Sequence, residues 1–196
     1  MNEILPLCYE EPDMVHKILR KATDFIIAYI NAYKAVGAHG VIMAEPLAGI
    51  LSPQLCQEFS TAYVKEIVEA TQDQGFIVIY HNCGNYALQL IDEILDTGCR
   101  VFHFGDAINM REMMQHIPAD CVAMGNISPS QQFRNGTPQS VQNATIRLLE
   151  DCKTYRNFVI SSGCDIPPLT EFENIEAFFD TVNLFYYKQR LLDIIA

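Results

Sequence analysis

FIVIYHNCG, residues 76–84, opens on five residues with no polar alternation and closes on a glycine. A run of that kind needs cover on both faces, which is the mark of a strand inside a parallel sheet. In extended chain, side chains two positions apart leave the same face, so His81 and Cys83 project together where the strand ends. Four further runs have the same character: GVIMAEP (40–46), RVFHFGD (100–106), DCVAMGN (120–126) and NFVISSGC (157–164). Glycine or a polar residue marks the C-terminal end of each strand.

Helical periodicity fills the intervals. Apolar positions at helical spacing run over 12–36, with Gly37 where a C-cap belongs. Ser52 is placed as an N-cap and Pro53 at the first helical position, opening an amphipathic stretch to Gly75. Helices are expected at 86–97, 109–117, 137–153 and, closing the chain, 171–194. Five βα units in one domain, 1–196, define the α/β class with a parallel sheet covered on both sides. Five units are too few for a closed eight-stranded barrel, so the sheet is either open or a partial (β/α)8 TIM barrel whose first three units are missing. In both architectures chemistry gathers at the carboxyl ends of the strands.

Composition narrows the function. With 49% hydrophobic and 19% charged residues the chain is globular. A net charge of −11 with only 13 Lys and Arg argues against nucleic acid. No apolar run is long enough for a bilayer, and the N-terminus has no secretion signal, so a cytoplasmic address is expected. Seven cysteines, scattered and odd in number, do not read as a disulfide framework.

One of them, Cys164 in SSGCDIPP (161–168), ends the last strand just as the His81/Cys83 pair ends the second. If the sheet curves, one imidazole and two thiolates converge on one rim, a donor set that suits zinc and leaves a fourth position open. Zinc with two thiolates is formally neutral, which favours deprotonation and alkylation of a substrate thiol. Glu45, on a neighbouring strand end, is either an exchangeable fourth ligand or a cap for the next turn. Asp106 either orients substrate or His81, or begins a helix. Asn126 binds a ligand or holds its turn. His103 lies inside its strand and reads as a core or inter-strand residue. Cys8, Cys56, Cys99, Cys121 and Cys152 read as structural.

Taken together, GAHGVIMAEPLAGILSPQLCQEF (37–59), YHNCGN (80–85), GNISPSQQFRNGTPQSV (125–141) and SSGCDIPPLTEFENIEAF (161–178) resemble the uroporphyrinogen decarboxylase superfamily in order and approximate spacing. Within it, the HxC pair and the late cysteine are most similar to the methylcobamide:coenzyme M methyltransferases. The resemblance implies a TIM barrel with zinc on His81, Cys83 and Cys164, and a methyl group passed to a small thiol from a methylated corrinoid protein, the corrinoid being a partner-delivered substrate. It also implies that the chain corresponds to the C-terminal part of a full-length member, so a homo-oligomer or a second chain supplying the remaining barrel half is expected.

Overall fold

A computed structural model describes residues 4–195. Strands β1 (Gly40–Ala44), β2 (Ile77–Asn82), β3 (Val101–Phe104), β4 (Val122–Ile127) and β5 (Phe158–Ser162) form one parallel sheet in chain order. This is the α/β class with five βα units that the sequence predicts. The chain clusters into two compact units, one running to Phe102 and the other starting at His103.

In the first unit, helix α1 (Ile4–Glu10) leads into α2 (Pro12–Ala35), which carries Pro12 and Asp13 in its first turn and Lys34 in its last, as the helix dipole favours. Ser52 caps α3 (Pro53–Cys56) by accepting from the Leu55 amide at 3.3 Å. A π-helical segment, Gln57–Thr61, then passes into α4 (Ala62–Thr71). In α4, Val64, Ile67, Val68 and Thr71 recur at i, i+3, i+4 and i+7 and are all buried, which fixes the face turned inward. The Lys34 ammonium donates to the Thr71 carbonyl at 3.1 Å and pairs with Asp73, joining the ends of α2 and α4. Strands β1 and β2 pair in parallel with Ala44 opposite His81. Val78 and Tyr80, on the other face of β2 from His81, are fully buried.

In the second unit, α6 (Met110–Met113), β4, a π-helical segment (Pro129–Arg134), α7 (Pro138–Cys152), β5 and α8 (Phe172–Ile195) follow one another. A capping box opens α7, the Thr137 hydroxyl accepting from Ser140 N while the Ser140 hydroxyl accepts from Thr137 N. The core gathers Ile127, Phe133, Val141, Ala177 and Phe178, with the rings of Phe133 and Phe178 edge to face at 5.5 Å. Buried Asn174 donates to the carbonyls of Phe133 and Gly136 at 2.9 and 3.1 Å, so the chain leaving the π segment is pinned to α8.

Several elements differ from their expected bounds. The helix expected to reach Gly75 ends at Thr71, where the Asp73 carboxylate takes the Gly75 amide at 2.7 Å in a local turn. The one expected from residue 86 starts as α5 (Ile91–Asp96), because 85–90 stay in turns. The one expected over 109–117 shrinks to α6, its run-out meeting Pro118, which disfavours helix in the residue before it. Among the described residues no helix is long and apolar enough to cross a membrane.

Candidate metal centre

The end of β2 is built by backbone before side chains enter. The Glu45 amide donates to the His81 carbonyl at 2.8 Å, adding a rung beyond the last residue of β1. Asn82 is fully buried; its Oδ1 accepts from the Gly84 amide at 2.9 Å and its Nδ2 donates to the Tyr80 hydroxyl at 3.2 Å. That Asx turn bends the chain at Cys83. The bend is tight because a Cβ on Gly84 would stand 2.5 Å from the Gly49 Cα, and one on Gly49 would stand 2.6 Å from the Gly84 Cα. Only two glycines allow this approach. His81 emerges buried and Cys83 half-buried.

The end of β5 is built differently. The Gly163 amide donates to the Ile127 carbonyl at 2.8 Å, and a Cβ there would meet the Asp106 amide nitrogen at 2.7 Å. The His103 Nε2 lies 2.7 Å from the Ser162 carbonyl oxygen and 3.1 Å from the Ser161 hydroxyl. Cys164 follows, half-buried.

The ligating atoms of His81, Cys83 and Cys164 all lie within 4.8 Å of one another. A tetrahedral zinc with bonds of about 2.3 Å to sulfur holds its donors about 3.8 Å apart, so the three fit that ion with small adjustments. One imidazole and two thiols are also the soft, borderline set that zinc selects over calcium or magnesium. The residues therefore form a candidate metal-binding group.

The remaining sequence candidates are not among these three grouped ligands. Since Ala44 faces His81 across the ladder, Glu45, one residue on, leaves the opposite face. Its carboxylate accepts from the Ser60 hydroxyl at 2.9 Å and lines a cavity of about 170 Å³ with Cys8, Val15, Leu19 and Phe59. Burial pushes the Glu45 carboxyl above its ordinary range, against the smaller opposing effect of the Ser60 hydrogen bond. Asp106 is exposed and, with Asn126, borders a polar pocket of about 470 Å³ in the second unit. The Asn126 amide donates to the carbonyls of Gly105 and Ile108, both at 2.9 Å, so it holds the turn that carries Asp106. Of the five cysteines read as structural, Cys8, Cys56, Cys99 and Cys152 are buried and Cys121 is half-buried. Burial pushes the thiols of Cys56 and Cys152 up to about 12 and about 11, which keeps them protonated and inert at neutral pH.

Sequence reasoning placed the donors but missed what supports them. The facing of Gly49 and Gly84 joins residues far apart in the chain, and a loop glycine carries no local mark of its partner. The histidine in RVFHFGD was readable as an inter-strand residue, but not as a bond to the backbone beside Cys164.

An α/β sheet of βα units, with soft donors at the carboxyl ends of its strands, defines the class. A model of the uroporphyrinogen decarboxylase (URO-D) family matches residues 1–185, and the chain belongs to that family. It is 29% identical over 189 residues to the uroporphyrinogen decarboxylase of Pseudoalteromonas translucida (strain TAC 125), covering 95% of this chain and 53% of that relative. The uroporphyrinogen decarboxylase of Coxiella burnetii (strain Dugway 5J108-111) is 27% identical over 188 residues, covering 93% of this chain and 50% of the relative. A methyltransferase from Methanosarcina mazei shares the fold with a TM-score of 0.81 at 22% identity, over 93% of this chain and 52% of that one. The chain thus spans about half the length of the relatives it matches.

Proposed function

We propose that the chain carries the metal-binding portion of a zinc-dependent methyltransferase, which moves a methyl group from a methylated corrinoid protein to a small thiol. The observation that carries this reading is the approach of His81, Cys83 and Cys164 to within 4.8 Å. When bound, zinc would lower the pKa of a coordinated thiol and leave its sulfur electron-rich enough to attack carbon. In the transfer a sulfur–carbon bond forms while the cobalt–carbon bond breaks, the electron pair staying with the corrinoid and the thiol proton passing to solvent.

The chain's own residues prepare for that event. The Asx turn at Asn82 and the facing of Gly49 and Gly84 fix where Cys83 stands, and Gly163 fixes the approach to Cys164. Asp106, exposed on the rim after β3, is assigned the orientation of the incoming thiol, and Asn126 holds its turn. Glu45 supports the loop after β1 through Ser60. Strand β1 lies at the edge of the sheet, and Ile42 on it is 60% exposed, so a second copy or second polypeptide is proposed to cover that edge. Light scattering that finds only monomer at micromolar concentration speaks against such cover.

The test is metal content followed by transfer. Protein purified without chelator should hold about one zinc per chain and should alkylate a thiol from methylcobalamin, used as the donor probe. Protein that stays empty after zinc is added contradicts the proposal. A second reading, decarboxylation of an acidic tetrapyrrole, is favoured by the names of the curated relatives at 27–29% identity. Turnover of a porphyrinogen by metal-free protein, with no thiol alkylation by the zinc form, selects it.

A further inference from the structure

We infer that His103 is a positioning residue for Cys164, fastening the backbone two residues upstream of that thiol so that it stands where a metal can use it. The inference rests on the zinc reading above and concerns a residue that is not itself a ligand.

The argument begins with the proton. His103 Nε2 lies 2.7 Å from the Ser162 carbonyl oxygen. A carbonyl only accepts, so Nε2 must carry the hydrogen, which fixes the tautomer. The Ser161 hydroxyl lies 3.1 Å from the same nitrogen and donates to the same Ser162 carbonyl at 2.9 Å. That hydroxyl proton is thereby occupied, and its oxygen can share the imidazole N–H. Two donors therefore meet on one carbonyl, a satisfied arrangement for a half-buried backbone group.

Topology makes this bond unusual. His103 sits on β3 and Ser162 ends β5, and β4 lies between them in the sheet order. The imidazole reaches past the intervening strand, linking two elements that share no ladder. On β4's side, the Ile127 carbonyl takes the Gly163 amide at 2.8 Å. Gly163 is also pressed against the turn after β3, where a Cβ would meet the Asp106 amide nitrogen at 2.7 Å. The Ser162–Gly163 peptide is thus held from two strands, its carbonyl by His103 on β3 and its amide by Ile127 on β4, and Cys164 is the next side chain along. Without the His103 bond the Ser162 carbonyl keeps only the hydroxyl of its own neighbour Ser161, so the Ser162–Gly163 peptide is tied across the sheet by the Gly163 contacts alone and is freer to rotate. A metal ligand whose outer support is removed typically loses about 10–100-fold in affinity.

The experiment measures zinc and cobalt affinity by competition with a chromophoric chelator in four proteins: wild type, H103F, H103N and H103Q. Phenylalanine keeps the ring and loses the donor. Asparagine keeps an amide that is too short to reach Ser162, while the amide nitrogen of glutamine can occupy the place of Nε2. H103F and H103N should bind each metal about 10-fold or more weakly than wild type, and H103Q within about threefold of it. The cobalt forms supply a second readout. Thiolate-to-cobalt charge-transfer absorption should fall towards a one-thiolate level in H103F and H103N and be restored in H103Q. Equal affinity and equal spectra in all four overturn the inference and leave the zinc reading standing. Wild type that binds neither metal removes the zinc reading and the inference with it. If H103F and H103N fail to fold by circular dichroism while H103Q folds, His103 serves the fold at large and the inference fails.

Discussion

The two strand ends that carry the candidate ligands reach similar precision by opposite routes. At the end of β2 the support is mainly steric: an Asx turn closes on Gly84, two residues after Asn82, and the backbones of Gly84 and Gly49 touch with no room for a side chain. At the end of β5 the support is remote and polar, with His103 on β3 and Ile127 on β4 holding the carbonyl and the amide of the Ser162–Gly163 peptide, just before Cys164. A steric support fails when atoms are added. A polar one fails when a donor is removed. The pair of routes therefore answers to different substitutions.

The largest expected effect comes from removing the donors themselves. Cys83→Ala and Cys164→Ala should each take bound zinc from about one per chain to near none by elemental analysis, because two protein ligands rarely retain zinc. Retention of zinc by Cys164→Ala alone would break the comparison, since only the β2 end would then be a site. Next in size is a challenge to the steric route. Gly84→Val places carbon within van der Waals overlap of backbone, which cannot yield as a flexible side chain would. A loss of about 3 kcal/mol in urea unfolding is expected, with weaker zinc binding alongside.

The same contrast explains how much the sequence made legible. Alternating strands and helices could be read because their periodicities are local, and Ser52 with Pro53 marked a helix start that the structure keeps. The HxC spacing placed His81 and Cys83 on one face for the same reason. The convergence of Cys164 on that pair, by contrast, depended on the sheet curving, which no local pattern encodes and which only the family resemblance implied. Residues 85–90 carry helix-compatible side chains, yet the backbone leaves β2 through a turn, with the Ala87 amide on the Gly84 carbonyl at 3.3 Å. The π-helical segments Gln57–Thr61 and Pro129–Arg134 were equally hidden, since an extra residue in a helical turn leaves apolar periodicity nearly intact over so short a stretch.

A smaller effect is expected where the two routes overlap. Gly163 belongs to the polar end but is also crowded: a methyl group added there would stand 2.7 Å from the Asp106 amide nitrogen and 3.3 Å from the Asp106 Cβ. Gly163→Ala should cost about 1–2 kcal/mol in the same unfolding measurement, less than Gly84→Val, because the added group is smaller. Its zinc affinity should fall more than its stability suggests, because the displaced peptide is the one leading to Cys164. An alanine variant with unchanged zinc affinity would show that this strand end tolerates movement.

The smallest effect concerns a group present only at the first region, the carboxyl of half-buried Glu45. Burial raises its folded-state pKa above the ordinary 4.5, outweighing the Ser60 hydrogen bond that lowers it. The native protein then binds this proton more tightly than the unfolded chain does. The resulting stabilisation is fully present below the ordinary value and is lost as pH rises through the raised one. Glu45→Gln keeps an acceptor for Ser60 and has no proton to lose, so this contribution should be absent from its stability profile. The difference, wild type minus Glu45→Gln, should therefore decline with rising pH from about the ordinary carboxylate range upward, as measured by denaturant unfolding at a series of pH values. A difference that stays flat would mean that water reaches the carboxylate along the cavity lined by Cys8 and Phe59, and that the steric end is more open than its glycines suggest.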